Sequence, residues 1–298
     1  MRVANKTLYD SAIRSLTRAS SDMIDANEAV STSKKINDLS DDPVGLVSVL
    51  DLRSSISDLG QMERNISMGE SWLNASESAL TQLNDIITST KELTVSMSSA
   101  NVGSSERLNN ANLVQGYLEE VISLANSSSG GRYIFGGTNT DTIPFTLDAT
   151  GSTVTYSGNS TAFSINIGKD TVIDVGQDGK DIFGENWDDS NIFKTFIDLK
   201  TSLENNDITG IQTAMSNLDD HLQSVNGDVS EIAGKSIRLD VKSTMVADLE
   251  LTNTERISNL EDADLAEAVI TLKSKELAYQ AALSSSAKIM EMSLVNFL

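Results

Sequence analysis

Four short stretches of this 298-residue chain hold residue types that could do chemistry. Gly234-Lys235-Ser236 has the closing residues of a phosphate loop, in which backbone N–H groups and a lysine cradle phosphate oxygens. That loop needs a glycine five residues before its GK glycine, and Val229 stands there, with Gly227 two residues too far. The flanks look helical, so a helix irregularity is expected instead. DVGQDGKDIFGE, from Asp174 to Glu185, meets an EF-hand calcium loop at its first, fifth, sixth and twelfth positions, with Asp174, Asp178 and Glu185 as candidate ligands. Gly176 replaces the third-position oxygen ligand, Asp181 sits at an apolar position and no helix precedes the stretch, which equally describes a solvated turn. His221 is the single histidine in a chain without cysteine, so it lacks the constellation that a metal site or acid–base pair requires and reads as structural. Asp188 and Asp189 are of the type glycosidases use. Among 43 acidic residues adjacency by chance is expected, and nothing sets a pair across a cleft. No catalytic or cofactor-binding residue emerges, and the chain reads as a non-enzyme without a cofactor.

Composition narrows the partners. A formal net charge of -21 disfavours nucleic acid, which needs a concentrated cationic surface, and anionic membrane faces as well. Aromatic residues at 5% and only 2 prolines indicate long helices rather than a compact α/β enzyme. No apolar run approaches the roughly 18 residues of a membrane span. Arg2, Lys6, Arg14 and Arg18 outweigh Asp10 near the start, without the continuous apolar region of a secretory signal, so a retained structural segment is expected.

The elements that would position any function follow from periodicity. Tyr9, Ile13, Leu16, Ser20, Met23, Asn27 and Val30 alternate steps of four and three, a heptad seam with two polar places. It breaks at INDLSDDPVG, where Asp41 or Asp42 can cap and Pro43 suits a first helical turn. Leu52, Leu59, Ile66, Leu73, Leu80 and Ile87 then recur every seven residues, with Ile56, Met62 and Leu83 beside them, which predicts one long helix. A shorter helix is expected from Arg107 to about Ala125, closed by SSSGG. After Gly131, short β-branched and aromatic runs between Gly, Asn and Asp predict a small β-rich insert. Helix returns at NIFKTFIDLKTSL and persists, with interruptions expected near Asn226 and Gly234. The closing seam holds Leu265, Val269, Leu272, Tyr279, Leu283, Met290 and Leu294, with Ser258 and Glu261 as a possible capping box unless the upstream helix runs through.

The expected fold is mainly α with a small β-rich insert: an elongated helical-bundle or coiled-coil rod built by the two chain arms. Its expected parts are an N-terminal assembly helix (1–42) paired with a C-terminal one (255–298), an inner helical domain (43–130) paired with returning helices (189–254), and a β-rich outer domain (131–188). Periodicity alone fits the core of a monomeric bundle as well as an assembly. The apolar residues of the final SLVNFL, including Phe297 and Leu298, favour burial by neighbouring molecules.

These stretches, in order, resemble the flagellin superfamily, and within it the hook-filament junction proteins. The resemblance covers both helical arms: MRVANKTLYDSAI, KKINDLSDDPVGL, NISMGESWLNASESALTQLNDII, GGRYIFGGTNTDTIPF and the tail from Glu261. Asp41, Asp42 and Pro43 mark the superfamily. Tyr133, Phe135, Gly136, Pro144 and Phe145, together with SLVNFL, point to the junction branch; STSKK before Ile36 departs from the usual run. The resemblance implies a structural flagellin-like protein, exported unfolded and without a cleaved signal peptide by the flagellar type III system. It implies a flagellar, extracellular place between the first hook-associated protein and flagellin, self-assembly into a ring or tube through the terminal helices, and an export chaperone at the C-terminal helix. A filament flagellin, a secreted enzyme with carboxylate catalysis and a cytoplasmic coiled-coil scaffold are the alternatives.

Overall fold

The computed structural model describes residues 2–168, 171–184 and 191–295, and the side chains of 2–5, 8 and 290–295 stand outside that description. The first seam forms α1, Arg2–Thr32, and the chain turns through residues 33–42. At the turn's end the Asp42 carboxylate accepts from the backbone N–H groups of Val44 (3.1 Å) and Gly45 (2.9 Å). This cap satisfies otherwise orphaned amides, and Pro43, whose missing N–H costs nothing there, opens α2, Pro43–Met97. Asp41 does a different job: its Oδ2 accepts from Asn37 and Asp38, both at 2.9 Å, and folds the turn itself.

The remaining elements are α3 (Ser104–Ala125), β1 (Ser128–Ser129), β2 (Arg132–Tyr133), β3 (Phe145–Leu147), β4 (Val154–Tyr156), β5 (Ser164–Gly168), β6 (Thr171–Asp174), α4 (Gly179–Phe183), α5 (Ile192–Glu204), α6 (Ile208–Glu261) and α7 (Leu265–Val295). The chain is mainly helical, and among the described residues the strands form three separate antiparallel pairs, β1–β2, β3–β4 and β5–β6. It divides into two compact units, residues 1–59 with 248–298 and residues 60–247.

In the larger unit the heptad residues of α2, Ile66, Leu73, Leu80 and Ile87, are all buried. On α6 a second stripe, Ile211, Leu218, Val225, Ile232, Leu239 and Val246, is buried at the same spacing. This stripe overrides the interruptions expected at Asn226 and Gly234, and α6 runs through both. A glycine in a helix costs about 1 kcal/mol relative to alanine, too little to outweigh apolar burial on either side. Asn226 offers its side-chain oxygen to Asn84 Nδ2 of α2 at 2.7 Å.

Helices α3 and α5 pack together, with Val114, Leu118 and Val121 facing the same core as Phe196, Leu199 and Leu203. Buried Arg107 closes the end of α2: Nε donates to the Met97 carbonyl (3.0 Å), Nη2 to the Ser99 carbonyl (2.7 Å) and Nη1 to Asn206 Oδ1. A guanidinium here meets carbonyls that the helix leaves unpaired and complements the negative end of its dipole.

Candidate functional site

The candidate site is the paired terminal helices and the two turns that join them to α2 and α6, all within the unit of residues 1–59 and 248–298. Helix α1 packs along α7. Alanine falls at every seventh position of α1, and Ala12 and Ala26 are buried with Ala19 half-buried between them. On α7, Ser286 is buried and Ala268 and Ala282 are half-buried. Small side chains let two backbones approach closely, but each removes little apolar area from water.

The larger apolar side chains divide accordingly. Leu16, Met23, Val30, Leu272 and Tyr279 are half-buried. Tyr9, Ile13, Leu265, Val269 and Leu283 are exposed, as are Ile24, Ile270 (70%) and Leu277 (66%). Apolar residues exposed singly are ordinary on a folded surface, whereas a contiguous apolar face marks an interaction site. The Met290 and Leu294 side chains, and Phe297 and Leu298 entirely, lie outside the described residues. An ion pair between Lys275 Nζ and Asp22 Oδ2 at 2.7 Å ties the two helices midway.

At one end of the pair the two turns are bound into a hub. Lys35 N–H donates to the Glu261 carbonyl at 2.7 Å, Ala263 N–H to the Ser33 carbonyl at 3.0 Å, and Lys35 Nζ to the Asn259 carbonyl at 2.9 Å. The Glu261 carboxylate, 5% exposed as a residue, accepts from Lys34 Nζ and Arg53 Nη2, both at 2.7 Å. Burial of a carboxylate is tolerated only where charge and hydrogen bonds meet it, and here two cations do. Ser258 and Glu261 therefore make no capping box. Helix α6 runs to Glu261, Ser258 Oγ donates to Asp262 Oδ2 at 2.5 Å, and Asp264 caps α7 by accepting from Ala266 N–H at 2.8 Å. Gly45 closes the packing under the hub, since a Cβ there would come within 2.8 Å of buried Ile36 Cδ1.

The motif residues of the insert serve the larger unit. Phe145 is the centre of an aromatic cluster, with ring centroids 5.0 Å from Tyr156, 5.0 Å from Phe183 and 5.2 Å from Phe193. Phe135 meets Phe183 edge-on at 5.3 Å. Pro144 is buried and its carbonyl accepts from Ser157 N–H (2.8 Å), while Tyr133 N–H donates to the Thr140 carbonyl (2.8 Å). Gly136 bridges to Asp178, and a Cβ there would meet the Asn139 carbonyl at 2.6 Å. Gly137, with φ +66, faces the Asn159 backbone so closely that only glycine fits. Motif and aromatic stripe of α5 thus make one core.

The remaining sequence candidates have structural uses. Gly234-Lys235-Ser236 lies inside α6, so no phosphate loop forms. Asp174 ends strand β6 and accepts from Ser164 Oγ at 2.6 Å, whereas Asp178 caps α4 by accepting from Lys180 N–H at 2.9 Å. A strand, not a helix, precedes this stretch; Glu185, Asp188 and Asp189 lie outside the described residues. Among the described residues no group of three acidic or histidine side chains is placed to hold a metal ion, and no helix is long and apolar enough to cross a membrane. His221 Nε2 lies 3.0 Å from Thr195 Oγ1, and burial pushes the imidazole below its ordinary value, against a smaller upward push from Asp220.

Comparison with known proteins places this architecture. Residues 3–140 match the bacterial flagellin N-terminal helical region. Along nearly its full length it resembles flagellar hook-associated protein 3. The Salmonella typhimurium protein of that name is 23% identical over 316 residues, covering 99% of this chain and 98% of the relative, and the Escherichia coli one is 23% identical over 317 residues with the same coverage. The solved hook-associated protein 3 of Legionella pneumophila, at 14% identity, shares the fold with a TM-score of 0.63 over 70% of this chain and 98% of its own.

Proposed function

We propose that this chain is a non-enzymatic structural subunit of the bacterial flagellum, a hook-filament junction protein that links the first hook-associated protein to the flagellin filament. The observation that carries this reading is the alanine-lined pairing of α1 with α7, which leaves Tyr9, Ile13, Leu265, Val269, Ile270, Leu277 and Leu283 facing water in a chain resembling hook-associated protein 3 from end to end. In this reading copies of the chain bury those side chains against one another, at about 1.5–3 kcal/mol for each large apolar side chain fully covered. The helices from Val44 to about Ala125, with their return near Ser236 to Leu251, carry axial contacts, and the β insert faces outward. Export unfolded by the type III system, a chaperone on the C-terminal helix and an extracellular place at the hook-filament junction belong to the same proposal.

Removal of residues 284–298 is the test. The truncated chain is expected to keep the helical circular dichroism and cooperative unfolding of the larger unit and to fail to join hooks capped with the first hook-associated protein. Normal joining would overturn the role given to the terminal helices. Long filaments formed by the intact chain without junction partners would favour a filament flagellin instead, consistent with the flagellin-type region at residues 3–140.

A further inference from the structure

Where the β insert meets α6, inside the unit of residues 60–247, a cavity of about 250 Å³ is walled by Asp174, Asp178, Asp181, Gln177, Asp228 and Glu231, with Lys235 the cation among its lining residues. Two oxygens in this wall, Asp228 Oδ2 on α6 and Gln177 Oε1 on the insert, are buried without a hydrogen-bond partner among the described residues. Both are acceptors. Neither meets a donor at hydrogen-bond distance among the described residues, Lys235 being paired with Glu231 at 2.8 Å, and each pays the desolvation penalty of an unmade bond. Asp174 and Asp178 are already engaged, by Ser164 Oγ and by Lys180 N–H respectively, so they leave the shortage unchanged.

We propose that Asp228 and Gln177 form a proton-operated clamp between α6 and the β insert: the neutral Asp228 carboxyl donates its O–H to the Gln177 amide oxygen, and ionisation removes that donor and turns the cavity against itself. One proton supplies the missing donor and removes one negative charge. The cavity wall fits this: Asp181 and Glu231 face Asp228 with like charge, and Lys235, held at 2.8 Å by Glu231, offsets only part of it. Burial first, then Glu231 and Asp181, push the Asp228 carboxyl up to about 6 from the usual 3.8, while Lys235 pulls it down. A carboxyl raised in the folded state binds its proton more tightly there than in the unfolded chain. The clamp is therefore fully closed near pH 4 and opens as pH rises through about 6. Beside the cavity, Trp72 packs on Phe163 with ring centroids 4.9 Å apart, and Asn65 Nδ2 donates to the Asn166 carbonyl at 2.8 Å, contacts between residues whose side chains carry no ionisable group.

Hydrogen exchange on the full chain tests the clamp, with rates corrected for the intrinsic pH dependence of amide exchange. Peptides covering 160–168 and 171–184 are expected to lose protection several-fold between pH 5 and pH 7.5, while peptides of α3 stay unchanged. Asp228→Asn, neutral at every pH and able to donate to Gln177, is expected to hold the pH 5 protection at pH 7.5. A second reading on the unmodified protein guards against a misfolded variant: the Asp228 side-chain carboxyl carbon should titrate by NMR near pH 6. Equal pH dependence in the wild type and Asp228→Asn, or a carboxyl midpoint below about 4.5, near the ordinary aspartate value, would overturn the proposal.

Discussion

Replacement of Glu261 by alanine tests the hub most directly. Its carboxylate accepts from Lys34 and Arg53, both at 2.7 Å, in a residue 5% exposed. A hydrogen bond to a charged group contributes about 1.5–3 kcal/mol where both partners are desolvated. Here the Lys34 and Arg53 side chains are 38% and 47% exposed, so water recovers a large part of each interaction once the carboxylate is gone. The net expectation is a loss of about 2 kcal/mol. The backbone bonds of Lys35 and Ala263 remain, so the turns loosen rather than separate. Native-state hydrogen exchange reads this locally: amides of 33–38 and 259–264 should exchange faster by about thirtyfold, the equivalent of 2 kcal/mol, with peptides of α3 and α5 unchanged. Arg53→Met is expected to cost less, since Lys34 still meets the carboxylate. A change below twofold in the hub, or an equal change in both units, would refute the reasoning.

Three further outcomes are expected. Phe145→Ala removes the centre of the aromatic cluster and should cost about 3–5 kcal/mol in chemical denaturation of the larger unit. Gly45→Ala, which in an open helix would stabilise by about 1 kcal/mol, should instead destabilise by about 1–3 kcal/mol because its Cβ meets the capping Asp42 carboxylate and the Ile36 side chain; a more stable variant would show that the turn yields. Burial depresses the His221 pKa, so the folded state binds its proton less tightly than the unfolded chain, and the stability it contributes is lost as pH falls below the ordinary 6.5. His221→Gln should flatten that acid limb, measured as the difference between variant and wild type so that Asp228, whose contribution has the opposite slope, cancels.

Much of the fold was legible because large apolar residues at fixed spacing leave few choices. Leucine and isoleucine every seven residues from Leu52 to Ile87 announce α2, and Asp42 with Pro43 announces its start. The contact between α1 and α7 was less legible. Size draws the eye to Ile13, yet within the pair it is the neighbouring Ala12 that is buried while Ile13 faces water. A heptad of small residues, Ala12, Ala19 and Ala26, was the signal available for it. The interruptions read at Asn226 and Gly234 weighed local propensity above a buried stripe that continues through both. The hub lay beyond sequence reasoning, since Arg53 and Glu261 are 208 positions apart and nothing local pairs a carboxylate with one arginine among many charges. Thr195, buried against His221 between aromatic neighbours, was hidden for the same reason.

The alanine columns also determine how α1 and α7 can be aligned. Leucine knobs reject a displaced partner because each needs its own hole, whereas the buried alanines of α1 present small methyl groups that discriminate less sharply against a slide of one helical turn, about 5.4 Å. Alignment of this pair is therefore a polar matter, decided at the Glu261 hub and again at the Asp22–Lys275 bridge. Loss of the exposed Asp22–Lys275 bridge alone would leave the backbone bonds of Lys35 and Ala263 in place, so the turns, far from the middle of the helices, are what fix the offset of the pair.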